Sequence, residues 1–129
     1  MAAPPALSLS VLPDTLAVCR LAPDADVPAW AWTGEPASVT RTRDELSIVC
    51  AMHAVPHGVR AEGGWRCLKV DGPLDFALTG ILAALTALLA AAGIPLFAVS
   101  TFDTDYLLVK ADTLGRAVEA LRGAGHSVR

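Results

Sequence analysis

From Phe76 to Phe102 the chain carries no charged residue. Such a run must be buried, either in a membrane or in a protein core, and continuity separates the two readings. A membrane-spanning helix needs about 20 apolar residues without a break. Here Gly93-Ile94-Pro95 interrupts the run, leaving a helix of about 13 residues, or ~20 Å at 1.5 Å rise per residue. The flanks are Asp75 on one side and Asp103 and Asp105 on the other, not the basic residues of a cytoplasmic membrane edge. The run therefore reads as a buried helix followed by a buried strand, with no membrane partner.

Composition agrees with a chain that hides more apolar surface than one small core requires. Of the 129 residues, 53% are hydrophobic and 18% charged, and much of the excess is alanine. This points to close helix packing and a buried oligomer surface, most simply a homodimer. The length suits one compact domain or two half-size modules sharing a core, with no need of a metal or disulfide staple. Net charge is −3 and the Lys and Arg residues are scattered, which argues against nucleic acid as a main partner. Cys19, Cys50 and Cys67 lie in apolar stretches without CxxC spacing. They read as buried free thiols of a cytoplasmic protein. The first residues, Met1-Ala-Ala-Pro-Pro-Ala6, lack a basic region and are broken by prolines, so no signal peptide is expected.

The second half has the sharper pattern. Trp65-Arg-Cys-Leu-Lys-Val70 alternates as a half-buried strand and ends at the turn Asp71-Gly72-Pro73. After an irregular stretch from Leu74 to Leu78, Thr79 can cap a helix beginning at Gly80. Ile81, Leu85, Leu88, Leu89 and Ala92 share one face of that helix, and Gly93 stops it. Two β-prone runs, Ile94–Ser100 and Tyr106–Lys110, flank Thr101-Phe-Asp-Thr-Asp105 and read as a hairpin. Asp112 or Thr113 can cap a final helix with Leu114, Ala117, Val118 and Leu121 on one face, and His126–Arg129 supplies a last strand. The order βαββαβ is a ferredoxin-like α+β unit.

The first half is mostly strand: Leu7–Val11, Leu16–Leu21, and a hairpin of Ala37–Thr42 with Leu46–Met52. Val27-Pro-Ala-Trp-Ala-Trp32 suits a short helix with Pro28 in its first turn. Ala54–Gly64, rich in Pro and Gly, reads as a connector. Trp30 and Trp32 are expected in a core or interface, and Arg41 and Arg43 in solvent, with a carboxylate partner as the alternative.

The stretches Asp71-Gly-Pro-Leu-Asp-Phe76, Leu78-Thr-Gly-Ile-Leu82, Ala92-Gly-Ile-Pro95 and Ser100-Thr-Phe-Asp-Thr-Asp-Tyr106 resemble amino-acid-binding ACT domain proteins, the branch that includes CASTOR-type arginine sensors. Ser38-Val-Thr-Arg-Thr-x-Asp44-Glu-Leu-Ser-Ile-Val49 is similar to the same group. The resemblance implies a degenerate N-terminal ACT-like module over residues 1–60 and a complete ACT domain over 61–129. It also implies a ligand site where the turn from Asp71 to Ile81 faces the hairpin link. The chemistry of the residues agrees. A helix N-terminus offers unpaired N–H groups to a carboxylate, with Gly72, Thr79, Gly80 and Ile81 around it. Asp103 and Asp105 suit an ammonium or a basic side chain, Ser100 and Thr101 add neutral hydrogen-bonding groups, and Phe102 can cover an aliphatic stem. Read without the resemblance, Asp-Thr-Asp in a tight link is also ordinary turn chemistry.

The implied function is a non-catalytic sensor for a free amino acid, with Asp103 and Asp105 pointing to a basic one, and with no cofactor and no metal. Two alternatives stand beside it: a small ferredoxin-like lyase or isomerase, and a purely structural dimerisation domain. Against an enzyme, no His–carboxylate, Cys–His or Ser–His grouping converges on the hairpin. His53 and His57 are separated by Pro56 and have no neighbouring carboxylate, so they read as connector residues.

Overall fold

The structure, a computed structural model, describes residues 6–72, 74 and 80–129. The chain divides into two compact units, one of residues 13–65 and one of 6–12 together with 66–129. The expected boundary between residues 60 and 61 falls at the start of a strand that serves both units.

In the 13–65 unit, strands β2 (Leu16–Leu21), β3 (Ser38–Arg41), β4 (Leu46–Ala51) and the first part of β5 (Arg60–Val70) pair in the order β3-β4-β2-β5. Every pairing is antiparallel, with Cys19 opposite Ile48 and Arg20 opposite both Ser47 and Arg60. This is the strand order of a ferredoxin-like sheet in which single 3-10 turns, Ala29–Trp32 and Met52–Ala54, stand where helices would cross over. Pro23, Pro28, Gly34 and Pro36 crowd the first crossover and Pro56 and Gly58 the second, so neither can propagate a helix. The module is degenerate for that reason. Its core is Ala17, Cys19, Ala31, Leu46, Ile48 and Cys50, with Trp30 packed against it.

Three expectations change here. Trp32 is 62% exposed and outside the core, because a 3-10 turn has three residues per turn and cannot turn positions i and i+2 to the same face. Arg41 is not merely solvated. Its guanidinium donates to the carbonyls of Pro23 and of Ala25 (2.7 Å for the latter), tying down the turn after β2. The supposed connector Ala54–Gly64 is strand from Arg60 onward, since β2 supplies a pairing edge that local composition does not reveal.

The other unit holds β1 (Ser8–Val11), the end of β5, α1 (Ile81–Ala91), β6 (Leu96–Ser100), β7 (Asp105–Lys110), α2 (Leu114–Gly123) and β8 (Ser127–Val128). From β5 onward the order is the expected βαββαβ. The sheet runs β6-β7-β5-β1-β8. Strand β1 lies between β5 and β8, antiparallel to the first (Leu9 opposite Val70) and parallel to the second (Leu9 opposite Val128). The chain's first strand thus completes the unit built by its last elements. Ile81, Leu85 and Leu89 of α1 and Ala117 and Leu121 of α2 pack onto Leu9, Leu68, Val70, Leu107 and Val109. Gly93, at φ 73°, ends α1.

The second helix starts differently from the expectation. A 3-10 turn, Ala111–Thr113, precedes it, and neither Asp112 nor Thr113 makes a side-chain cap. The Thr113 hydroxyl donates backwards to the Lys110 carbonyl (3.0 Å) instead. Thr79, the expected cap of α1, and the stretch 75–78 lie outside the described residues. No helix of the described residues is long and apolar enough to cross a membrane.

Candidate functional site

Beyond Val70 the chain leaves the sheet through Asp71 and Gly72. Asp71 is anchored at both ends. Its N–H donates to Ser8 carbonyl (2.8 Å), and its carboxylate accepts from Ser10 Oγ (2.8 Å) and Arg129 Nη2 (2.7 Å). Burial pushes the Asp71 carboxyl up, but hydrogen bonds from Arg129 and Ser10, with the charges of Arg129 and Lys69, outweigh it and hold the group below the ordinary 3.8.

Gly72 rests directly on the β6–β7 link. A Cβ there would come within 3.2 Å of the Asp103 carbonyl oxygen and 3.3 Å of Thr104 Cβ. The neighbouring Leu74 N–H donates to the same Asp103 carbonyl at 2.7 Å. The link itself is held by paired threonines. Thr101 N–H and hydroxyl both donate to the Thr104 carbonyl (2.9 and 3.1 Å), and Thr104 N–H donates to Thr101 Oγ1 (3.4 Å). Thr104 is buried, and its hydroxyl donates to the Val70 carbonyl at 2.5 Å. The link is therefore bonded to the end of β5 as well as closed on itself.

Facing the link is the first turn of α1. Gly80 is its N-cap at φ 79°, with open space where a Cβ would stand. The left-handed conformation, not crowding, is what calls for glycine here. The N–H groups of Ile81, Leu82 and Ala83 have no acceptor within the helix and carry the positive end of its dipole. Ile81 contributes this backbone group, since its side chain is buried in the core.

Between turn and link lies a cleft of about 280 Å³, lined among the described residues by Leu74, Gly80 to Ala83 and Ser100 to Asp105. Seven of the nine expected residues thus come together: Gly80, Ile81, Ser100, Thr101, Phe102, Asp103 and Asp105. Gly72 supports the link from behind and does not line the cleft. Thr79 lies outside the described residues. Leu74, Leu82, Ala83 and Thr104 line it without having been singled out. The Thr101-x-x-Thr104 spacing was the available signal for the last of these, because short hydroxyl side chains close turns on their own backbone.

The cleft is electrostatically one-sided. Asp103 and Asp105 are its titratable groups among the described lining residues, and no Lys, Arg or His joins them. Asp105 accepts a hydrogen bond from Ser100 Oγ at 2.6 Å. The Asp103 carboxylate makes no hydrogen bond to a described residue. Phe102 stands 79% exposed at the rim. A ligand spanning the cleft would meet N–H donors at one end and carboxylates at the other.

A second cavity, of about 580 Å³, lies along α1 and the end of α2, lined by Ala6, Ala84, Ala87, Leu88, Ala91, Ala124, Gly125 and His126. Among the described lining residues His126 alone has a polar side chain, and its Nδ1 accepts the Leu7 N–H at 3.0 Å. The three cysteines are buried free thiols. Burial first, then the neighbouring Cys50, pushes the Cys19 thiol up to about 12, which makes it a poor nucleophile. Among the described residues no three His, Cys, Asp or Glu side chains are grouped to hold a metal.

Residues 60–123 match the sequence profile of the ACT domain, and residues 14–58 match that of an N-terminal domain found in related chains. A 59-residue stretch is 41% identical to the human protein named cytosolic arginine sensor for mTORC1 subunit 1, covering 45% of this chain and 18% of that one. The chain thus matches under a fifth of that relative's length. An Agobacterium tumefaciens protein of known crystal structure is 42% identical, covering 98% of this chain and 94% of its own, with a TM-score of 0.91. A Clostridium acetobutylicum aspartate kinase, described as an allosteric enzyme, shares the fold at 10% identity and a TM-score of 0.65 over 90% of this chain and 34% of its own.

Proposed function

We propose that this chain, which belongs to the ACT domain family, is a non-catalytic regulatory module that binds a free amino acid in the cleft between α1 and the β6–β7 link. The observation that carries the reading is the polarity of that cleft, with open helix N–H groups at Gly80–Ala83 and two carboxylates at Asp103 and Asp105. An amino acid matches it end to end. Its α-carboxylate sits at the helix N-terminus, and a cationic group meets the carboxylates through charge-assisted hydrogen bonds.

Two carboxylates, with no Lys, Arg or His among the described lining residues, favour a basic amino acid. A neutral ligand would answer one of them with its α-ammonium and leave the other unused. The relative named as a cytosolic arginine sensor supports the same choice. The Phe102 ring at the rim suits the aliphatic stem of such a ligand. The protein acts in the cytoplasm as a homodimer, and the ligand biases assembly through its preference for one state.

A thermal-shift screen of the protein against the twenty amino acids, with Asp105→Ala in parallel, tests this. A ligand at 100 times its Kd adds about 2.7 kcal/mol, which raises the melt of a domain this size by roughly 5–15 °C. The expected result is a shift with arginine or lysine that Asp105→Ala abolishes. A flat screen removes the sensor reading and leaves a structural dimerisation domain. Conversion of a bound amino acid to product would make it an enzyme.

A further inference from the structure

Strand pairing in the 13–65 unit brings four polar side chains into one row. The unit's core takes Cys19, Val39, Leu46, Ile48 and Val59 from one face of its sheet. By alternation, Arg20, Thr40, Ser47 and Arg60 stand on the other face. Register sets them side by side: Thr40 lies opposite Ser47, Ser47 opposite Arg20, and Arg20 opposite Arg60. Directly opposed residues are about 5 Å apart at Cβ. Two hydroxyls and two guanidinium groups thus cross all four strands of the unit.

Like charges directly opposite each other on neighbouring strands destabilise a sheet, and the Arg20–Arg60 pair is left uncompensated. Among the described residues neither guanidinium forms an ion pair. Arg20 Nη2 donates to the Asp44 carbonyl at 2.9 Å, which engages one of its five N–H groups. A cavity of about 280 Å³ opens over the pair, with Val18, Arg20, Glu45, Ser47, Arg60 and Glu62 in its lining. We propose that this cavity binds one compact dianion, a phosphoryl group of free phosphate or of a small phosphate monoester.

The donors suit that group. A planar guanidinium presents paired N–H donors to two oxygens of one phosphoryl group. Two such forks about 5 Å apart can share a tetrahedral dianion, and Ser47 adds a hydroxyl beside Arg20. A lone carboxylate has two oxygens and one charge, enough for one arginine. A dianion answers both and supplies the countercharge that the pair lacks. Glu45 and Glu62 set the size limit. Glu45 precedes Ser47 by two residues and Glu62 follows Arg60 by two, and β4 and β5 run the same way beside β2. The two glutamates therefore flank the row on opposite sides. A long polyanion crossing the row would meet them, whereas a single phosphoryl group fits between.

This cavity lies wholly within the 13–65 unit, and its ligand does not rest on the amino-acid reading of the other unit. It gives the module whose helices are reduced to single turns a binding surface on its open sheet face.

Melting of the whole chain is followed in phosphate-free buffer, with sodium phosphate, glycerol phosphate or sodium chloride added at matched ionic strength. The expected result is a saturable rise with phosphate or the monoester that chloride does not give. Arg60→Gln removes one fork and should raise the half-saturating concentration about tenfold or more. Without phosphate the same variant should melt no lower than wild type, because the like-charge opposition is gone. Arg116→Gln, the same charge change on the exposed side of α2, should leave the phosphate effect intact. If Arg60→Gln does not fold, Arg60→Lys, which keeps the charge and loses the fork, carries the same titration. A response no larger than that to chloride overturns the proposal. So does a half-saturating concentration that the Arg60 variants leave at the wild-type value. Tighter binding of glycerol phosphate than of phosphate names a phosphate ester as the ligand, and the reverse order names the free ion. A phosphate response in a protein that no amino acid stabilises leaves this site standing and removes the sensor reading instead.

Discussion

The Thr104 hydroxyl makes the one side-chain bond, among the described residues, that ties the cleft's link to the end of β5, beside the backbone bond from Leu74 N–H to the Asp103 carbonyl. Thr104→Val keeps the shape and β-branching of the side chain and removes only the donor to the Val70 carbonyl, so no cavity confounds the result. Thr104 is 5% exposed and the bond is 2.5 Å long, so water replaces it poorly. Losing a buried hydrogen bond removes about 0.5–1.5 kcal/mol, and leaving its partner unsatisfied raises the loss to about 1–3 kcal/mol. At roughly 3–6 °C per kcal/mol for a chain of this length, the melt should fall by about 3–18 °C. Thr104→Ser, which keeps the hydroxyl, should recover most of it. The melt followed by circular dichroism measures the stability. The amino-acid-induced shift measured on the same samples reports the site, and it should shrink in the valine variant because Thr101 to Asp105 lose their side-chain tie to β5. A Thr104→Val melt within about 1 °C of wild type would refute the reasoning: the link would then be positioned by its own turn and by the Leu74–Asp103 backbone bond.

Two further outcomes follow from the same contacts. The folded Asp71 carboxyl lies below its ordinary value because Arg129 and Ser10 outweigh burial, so its stabilisation is present above 3.8 and is lost as pH falls through the folded value. Arg129→Ala should therefore lower the denaturation midpoint at neutral pH, with the gap from wild type closing under strong acid. A gap constant across that window would refute the linkage. Leu85 is fully buried in the core beneath α1. Leu85→Ala should cost about 2–5 kcal/mol in denaturant unfolding, and a smaller loss would mean that the core recollapses around it.

Much of the second unit was legible because its signals are local. Alternation in Trp65–Val70, the Ile81-Leu85-Leu89 face and the stop at Gly93 each reflect the backbone period of the element they form. The cleft was legible for a related reason. A helix start and a hairpin link are both marked in sequence by turn residues, and the βαββαβ order places them at the same end of the sheet. The side-chain caps of α2 were misjudged because a 3-10 turn and a capped helix start draw on the same residue types.

What the sequence by itself determined is therefore the list of elements, the burial of the uncharged run and the residues of the link. Tertiary structure alone decided where β1 goes, how far β5 extends and what holds the link in place. Leu7–Val11 alternates like any half-buried strand, and nothing local says that its partners begin near residues 68 and 127. Arg60–Gly64 reads as connector until β2 offers it an edge. The Thr104–Val70 bond joins residues 34 positions apart. Strand pairing and buried side-chain bonds of this kind satisfy backbone groups across long stretches of chain. Only the assembled sheet settles which groups those are.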